Sequence, residues 1–74
     1  MSSSLDHIRS FCYNFNILVS NFNFDIETID ASNILENEYM IENILEQLSQ
    51  IYNSHMNDEM KYLYNTCVEQ YYML

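Results

Sequence analysis

Asn33 to Ser54 reads NILENEYMIENILEQLSQIYNS, the longest helix-periodic run of the chain. Ile34, Ile41, Ile44, Leu45, Leu48, Ile51 and Tyr52 recur at steps of three and four, which places them on one side of a helix. Glu38, Glu42 and Glu46 descend the same helix at intervals of four, and no Lys or Arg stands between Arg9 and Lys61. Like charges at that spacing destabilise a helix by roughly 0.2–0.5 kcal/mol per pair. A merely solvated face would intersperse lysines, so the acidic face reads as a working surface. On a helical wheel Leu35 and Tyr39 leave the core stripe and join Glu42 and Glu46, with Glu38 alongside. An apolar pair fringed by carboxylates has the make-up of a protein-binding hot spot. The same two residues would equally serve to cover the preceding loop.

Outward from this run, composition narrows the fold. The 74 residues contain no Gly and no Pro, where average usage predicts about nine together. Turns and bulges of a β-rich fold need those residues, so an all-α architecture is expected. Toward the N-terminus, Leu5, Ile8, Cys12, Phe15, Val19 and Phe22, widened by Phe11 and Leu18, predict a helix over about 4–20 with Ser3 as its cap and Asp6 near its positive end. Tyr13 and Ile17 fall on its wet face. Residues 21–32, NFNFDIETIDAS, break the period and read as a loop carrying Asp25, Glu27 and Asp30. The second helix is expected to open near Asn33, with Glu36 completing a capping-box-like pair. Beyond it, Asn57 caps a third helix that opens with Asp58 and Glu59 and turns Met60, Leu63, Tyr64, Cys67, Val68, Tyr71 and Leu74 inward. Whether helices two and three are separate or one bent rod stays open. The expectation is a three-helix bundle in one domain over 1–74. A single core of this size rarely supplies more than roughly 3–5 kcal/mol. Tyr62, Tyr72 and Met73, off the inner face, add to the case for a homodimer.

Charge excludes several functions. Eleven Asp and Glu against Arg9 and Lys61 give a net −9, which rules out gripping nucleic acid by its phosphates and disfavours an anionic membrane. A basic partner is attracted instead, with salt-sensitive association. An AT-rich gene does not explain the pattern, because lysine codons are AT-rich too. No signal peptide is visible in Met1 to Arg9, and the apolar runs are far too short for a membrane span, so a cytoplasmic protein is expected.

Chemistry is hard to find. His7 with Cys12, and His55 with Cys67, lack the short paired spacing of a zinc site. Asp25 to Glu36 has the length of an EF-hand loop, but Asp30 stands where Gly is required and Ile29 where a ligand is. Both cysteines fall on core-facing positions without a cationic neighbour to activate them. No cofactor, metal or catalytic group is expected.

The DIETID (25–30) and ENEYMIENILEQ (36–47) stretches, the scarcity of Lys and Arg, and the size together resemble small acidic phage proteins that imitate DNA and disable host DNA-binding proteins. Within that type the chain is most similar to phage inhibitors of the bacterial sliding clamp. The resemblance is one of charge and size, with no shared motif. It implies a homodimer lodged in the DNA channel of a clamp in the host cytoplasm, blocking replication. Other targets of the same type are CRISPR effectors, uracil-DNA glycosylase and restriction enzymes. From the residues themselves, the candidate contact set is Asp25, Glu27, Asp30, Leu35, Glu36, Glu38, Tyr39, Glu42, Glu46, Asp58 and Glu59. The competing reading is a helical adaptor that binds through Leu35, Tyr39, Tyr62, Tyr72 and Met73.

Overall fold

The serine run at the N-terminus already lies in helix. In a computed structural model, which describes residues 2–24, 33, 34 and 36–74, the chain folds as α1 (Ser2–Asn21), α2 (Glu38–Gln50), α3 (Tyr52–His55) and α4 (Asp58–Tyr72). No strand occurs among the described residues. The all-α expectation holds. The count exceeds the expected three by α3, a single turn between the second and last long helices.

α1 starts before the expected point, so Ser3 is a helical residue and not the cap, and Asp6 sits beyond the first turn. Serine is only mildly unfavourable inside a helix, and three in a row offer no unique stop. The helix buries Phe11, Cys12, Phe15, Leu18 and Val19 and exposes Tyr13 and Ile17, as the periodicity predicts. Leu5, read as the first core position, is 41% exposed, because burial along α1 begins only near Ile8. At the other end Phe24 N–H bonds to Val19 O (3.1 Å) and Asn23 N–H to Ser20 O (3.0 Å). Those two bonds are a Schellman cap, whose residue in the left-handed region is usually Gly. Here Asn23 takes φ 59°, Asn being the side chain that tolerates it best.

α2 begins at Glu38, five residues later than Asn33. Asn33, Ile34, Glu36 and Asn37 lie in turn and bend instead: Glu36 N–H and Asn37 N–H both reach Asn33 O, and the Asn37 side-chain amide donates to the same carbonyl at 2.9 Å. Asparagine competes with the helix for local backbone partners in this way. Glu36 therefore lies in the turn, and the expected capping box with Asn33 falls outside the helix. From Glu38 onward Ile41, Ile44, Leu45 and Leu48 are buried as predicted. Met56 in extended conformation separates α3 from α4, and Asn57 Oδ1 accepts from Met60 N–H at 2.8 Å. The last two long helices are thus separate, and the predicted cap is present. Asp58 and Glu59 occupy the first turn of α4, where negative charge is favourable.

α4 runs antiparallel to α2. Tyr64 near its middle donates its hydroxyl to Leu45 O (3.2 Å), while Tyr71 near its end reaches back to Glu42 (3.2 Å). Its central Cys67 is fully buried, with Met60, Leu63, Tyr64, Val68 and Tyr71 half-buried around the core. Leu74, expected inside, is exposed because α4 ends at Tyr72. α1 packs along α4, with Phe11 against Tyr71 (ring centroids 5.9 Å). A polar bridge crosses the same seam: Asn14 Nδ2 donates to Gln70 Oε1 (2.9 Å), and Gln70 Nε2 donates to Ser10 Oγ (2.6 Å). The radius of gyration is 11.8 Å, near the roughly 11 Å of a compact chain of this length.

Candidate functional site

α2 carries Glu38, Glu42 and Glu46 on its exposed side, each one turn from the next and separated by ~6 Å of helix rise. Tyr39 stands beside them at 86% exposed. The core stripe of α2 faces inward, so this acidic strip is held outward by the burial of Ile41, Ile44, Leu45 and Leu48.

The antiparallel pairing of α2 with α4 sets a row of aromatics next to the glutamates. Glu42, Leu45 and Glu46 from α2 and Tyr64, Val68, Tyr71 and Tyr72 from α4 enclose an open cleft of about 330 Å³. On the other flank of the glutamate row a smaller hollow of about 120 Å³ is lined by Tyr39, Glu42, Asn43 and Glu46. Glu42 and Glu46 are thus a ridge between two depressions, and neither depression has a cationic side chain among its lining residues.

The tyrosines feel this environment. Burial raises the Tyr71 hydroxyl above its usual pKa, and its hydrogen bond to Glu42 and the charges of Glu42 and Glu38 push the same way. Burial likewise raises Tyr64, against a smaller opposing effect of the Ser49 hydroxyl. Both therefore remain protonated donors at neutral pH. Tyr71 and Tyr72 meet edge to face, centroids 5.6 Å apart. Elsewhere Lys61 Nζ lies 5.3 Å from the centroid of the Tyr52 ring.

The remaining expected contact residues distribute unevenly. Asp25, Glu27, Asp30 and Leu35 lie outside the described residues. Glu36 is exposed in the turn that precedes α2. Asp58 and Glu59 are exposed at the start of α4, which the antiparallel pairing places at the Gln50 end of α2, away from Glu38. Helical spacing sets Asp58 within about 60° of Lys61, Tyr62, Glu69 and Tyr72, whereas Glu59 lies about 100° round from Asp58. Tyr64, Val68 and Tyr71 were legible only as core positions. Their second role, as walls of an acidic cleft, depends on a pairing 19 to 29 residues away in sequence, for which local spacing gives no signal.

Burial lifts the Cys67 thiol to about 12, which leaves it inert as a nucleophile at neutral pH. Cys12 is buried as well. Among the described residues no group of three or more His, Cys, Asp or Glu is placed to hold a metal ion, and no helix is long and apolar enough to cross a membrane. Comparison with protein-family models, with curated proteins and with solved structures finds no match.

Proposed function

We propose that this protein is a DNA-mimic inhibitor: its acidic flank takes the place of a nucleic-acid strand in the basic channel of a host DNA-binding protein, with the sliding clamp as the favoured target. Occupying that channel blocks replication by competition, and the inhibitor performs no chemistry of its own. The observation that carries this reading is the exposed row of Glu38, Glu42 and Glu46 along α2, with no cationic side chain lining the depressions on either side of Glu42 and Glu46. Along α2, Glu38, Glu42 and Glu46 set a carboxylate every ~6 Å of helix rise, sparser than the ~3.4 Å spacing of a single DNA strand. A homodimer doubles the charge to −18, twice −9, and brings the pair nearer to duplex density. Channels of this kind read backbone charge and shape, which an acidic helical body can supply.

The test is binding to a purified clamp. Affinity should fall steeply with salt, and duplex DNA should displace the inhibitor. Complexes that persist in high salt under saturating duplex would refute mimicry. Light scattering on the free protein gives the stoichiometry, with twice the 8.9 kDa chain mass expected.

A second reading is favoured by the exposure of Tyr39 (86%), Tyr72 (82%) and Tyr62 (73%), since aromatics are enriched at interfaces. In it the protein is a helical adaptor and the acids confer solubility. Reversing Glu38, Glu42 and Glu46 together would then leave affinity nearly unchanged, while Tyr39→Ala would abolish it.

A further inference from the structure

We propose that the cleft between α2 and α4 is an arginine site: it receives the guanidinium of an arginine presented by a basic partner, with Glu42 and Glu46 on its N–H edge and the exposed Tyr72 ring against its plane. The inference rests on the acidic-surface reading above and names the side chain by which such a partner is held. Charge decides the sign of the occupant, because two carboxylates and no cation line the cleft. Chemistry decides its shape. The walls are tyrosine rings set edge to face, and a cation over a tyrosine face is attracted by the ring quadrupole. Among the described residues one such contact occurs, Lys61 over Tyr52.

Arginine suits the cleft better than lysine. Its guanidinium is planar, weakly hydrated and carries five donors in one plane, so it stacks on aromatic rings and bonds to neighbouring carboxylates at the same time. An ammonium is a strongly hydrated point charge that loses more water on entering. Glu42 already accepts the Tyr71 hydroxyl through Oε2, and an ionised carboxylate retains further acceptor sites after one such bond. The Tyr71 hydroxyl donates to Glu42 at 3.2 Å, which sets that carboxylate beside the ring at the rim of the cleft. A volume of about 330 Å³ leaves room for the side chain with its aliphatic stem against Leu45 and Val68.

The experiment titrates the full chain, labelled for NMR, with a short peptide of arginines alternating with serines and with its lysine twin of equal charge. The arginine peptide should bind roughly three- to tenfold tighter, with the largest shifts at Glu42, Glu46, Tyr71 and Tyr72. Tyr72→Ser, at a side chain that is 82% exposed, should remove the preference without altering the far-ultraviolet circular dichroism. Glu46→Gln should weaken the arginine peptide more than the lysine one. Equal affinities for the two peptides, or shifts centred on Asp58 and Glu59, would overturn the proposal. Neither DNA nor a DNA-binding protein enters this titration, so the two readings fail separately. An arginine preference combined with a complex that DNA cannot displace removes mimicry and keeps the site. DNA-displaceable binding without an arginine preference does the reverse.

Discussion

Replacing Glu42 and Glu46 together by Gln tests whether the acidic row of α2 is kept at the expense of stability. The double change removes both four-spaced repulsive pairs, Glu38 with Glu42 and Glu42 with Glu46, and keeps Glu38 at the first helical position, where negative charge is favourable. Each pair is worth roughly 0.2–0.5 kcal/mol, so the variant should gain about 0.4–1 kcal/mol. Little else changes. Gln and Glu have similar helix propensity, both sites are exposed, and a Gln carbonyl can still accept the Tyr71 hydroxyl. In a domain of this size 1 kcal/mol moves Tm by about 4–8 °C, giving an expected rise of about 2–8 °C. Thermal melts followed by circular dichroism, in low-salt and high-salt buffer, measure it. Salt should shrink the difference, since the pairs are solvent-exposed. A Tm that is unchanged or lower in low salt refutes the reasoning. The row would then carry no strain, and the missing lysines would demand no functional explanation.

Other perturbations reach other parts of the molecule. Asn57→Ala removes the side-chain acceptor for Met60 N–H and should cost about 0.5–2 kcal/mol in urea unfolding at unchanged m-value; an unaltered midpoint would show the cap to be idle. Ile41→Ala and Leu48→Ala, at fully buried positions, should each cost about 2–5 kcal/mol, close to the whole stability of a domain this small. Their spectra should be those of a largely unfolded chain. At alkaline pH, Cys67 (9.0 raised to about 12), Tyr64 and Tyr71 all have folded pKa values above their unfolded ones. Their contributions are therefore intact below the unfolded pKa and are lost as pH rises through the folded one. Urea midpoints should fall from about pH 9 upward, and Cys67→Ala should delay the onset to about pH 10, where tyrosine begins. A midpoint flat from pH 9 to 11 would contradict this.

Periodicity carried the reading of the long helices because burial acts on spacing. The stripes that end at Phe15 and Val19 in α1 and at Leu48 in α2 are the ones the core covers. Asn57 was legible as a cap because its acceptor serves an amide three residues on, a purely local relation. The errors fall where local rules compete or run out. Asn33 and Asn37 form a turn that displaces the start of α2. Leu5 and Leu74 have the correct phase and lie beyond the reach of the core. The cleft was only half legible. Its carboxylates show in the spacing of α2, whereas its tyrosine walls arrive through the antiparallel packing of α4. The bridge from Asn14 and Ser10 to Gln70 left no trace in the pattern either, since polar residues that pair across 56 and 60 positions carry no period of their own.

That bridge also bears on how the molecule comes into being. α1 packs along α4, so during synthesis the first helix leaves the ribosome with Phe11 and Phe15 uncovered, and the Tyr71 ring that meets Phe11 follows some fifty residues later. Joining such distant segments carries a loop-closure cost that grows only slowly with separation. The delay itself is the exposure, and in that interval Phe11 and Phe15 are open to chaperones or to another nascent chain.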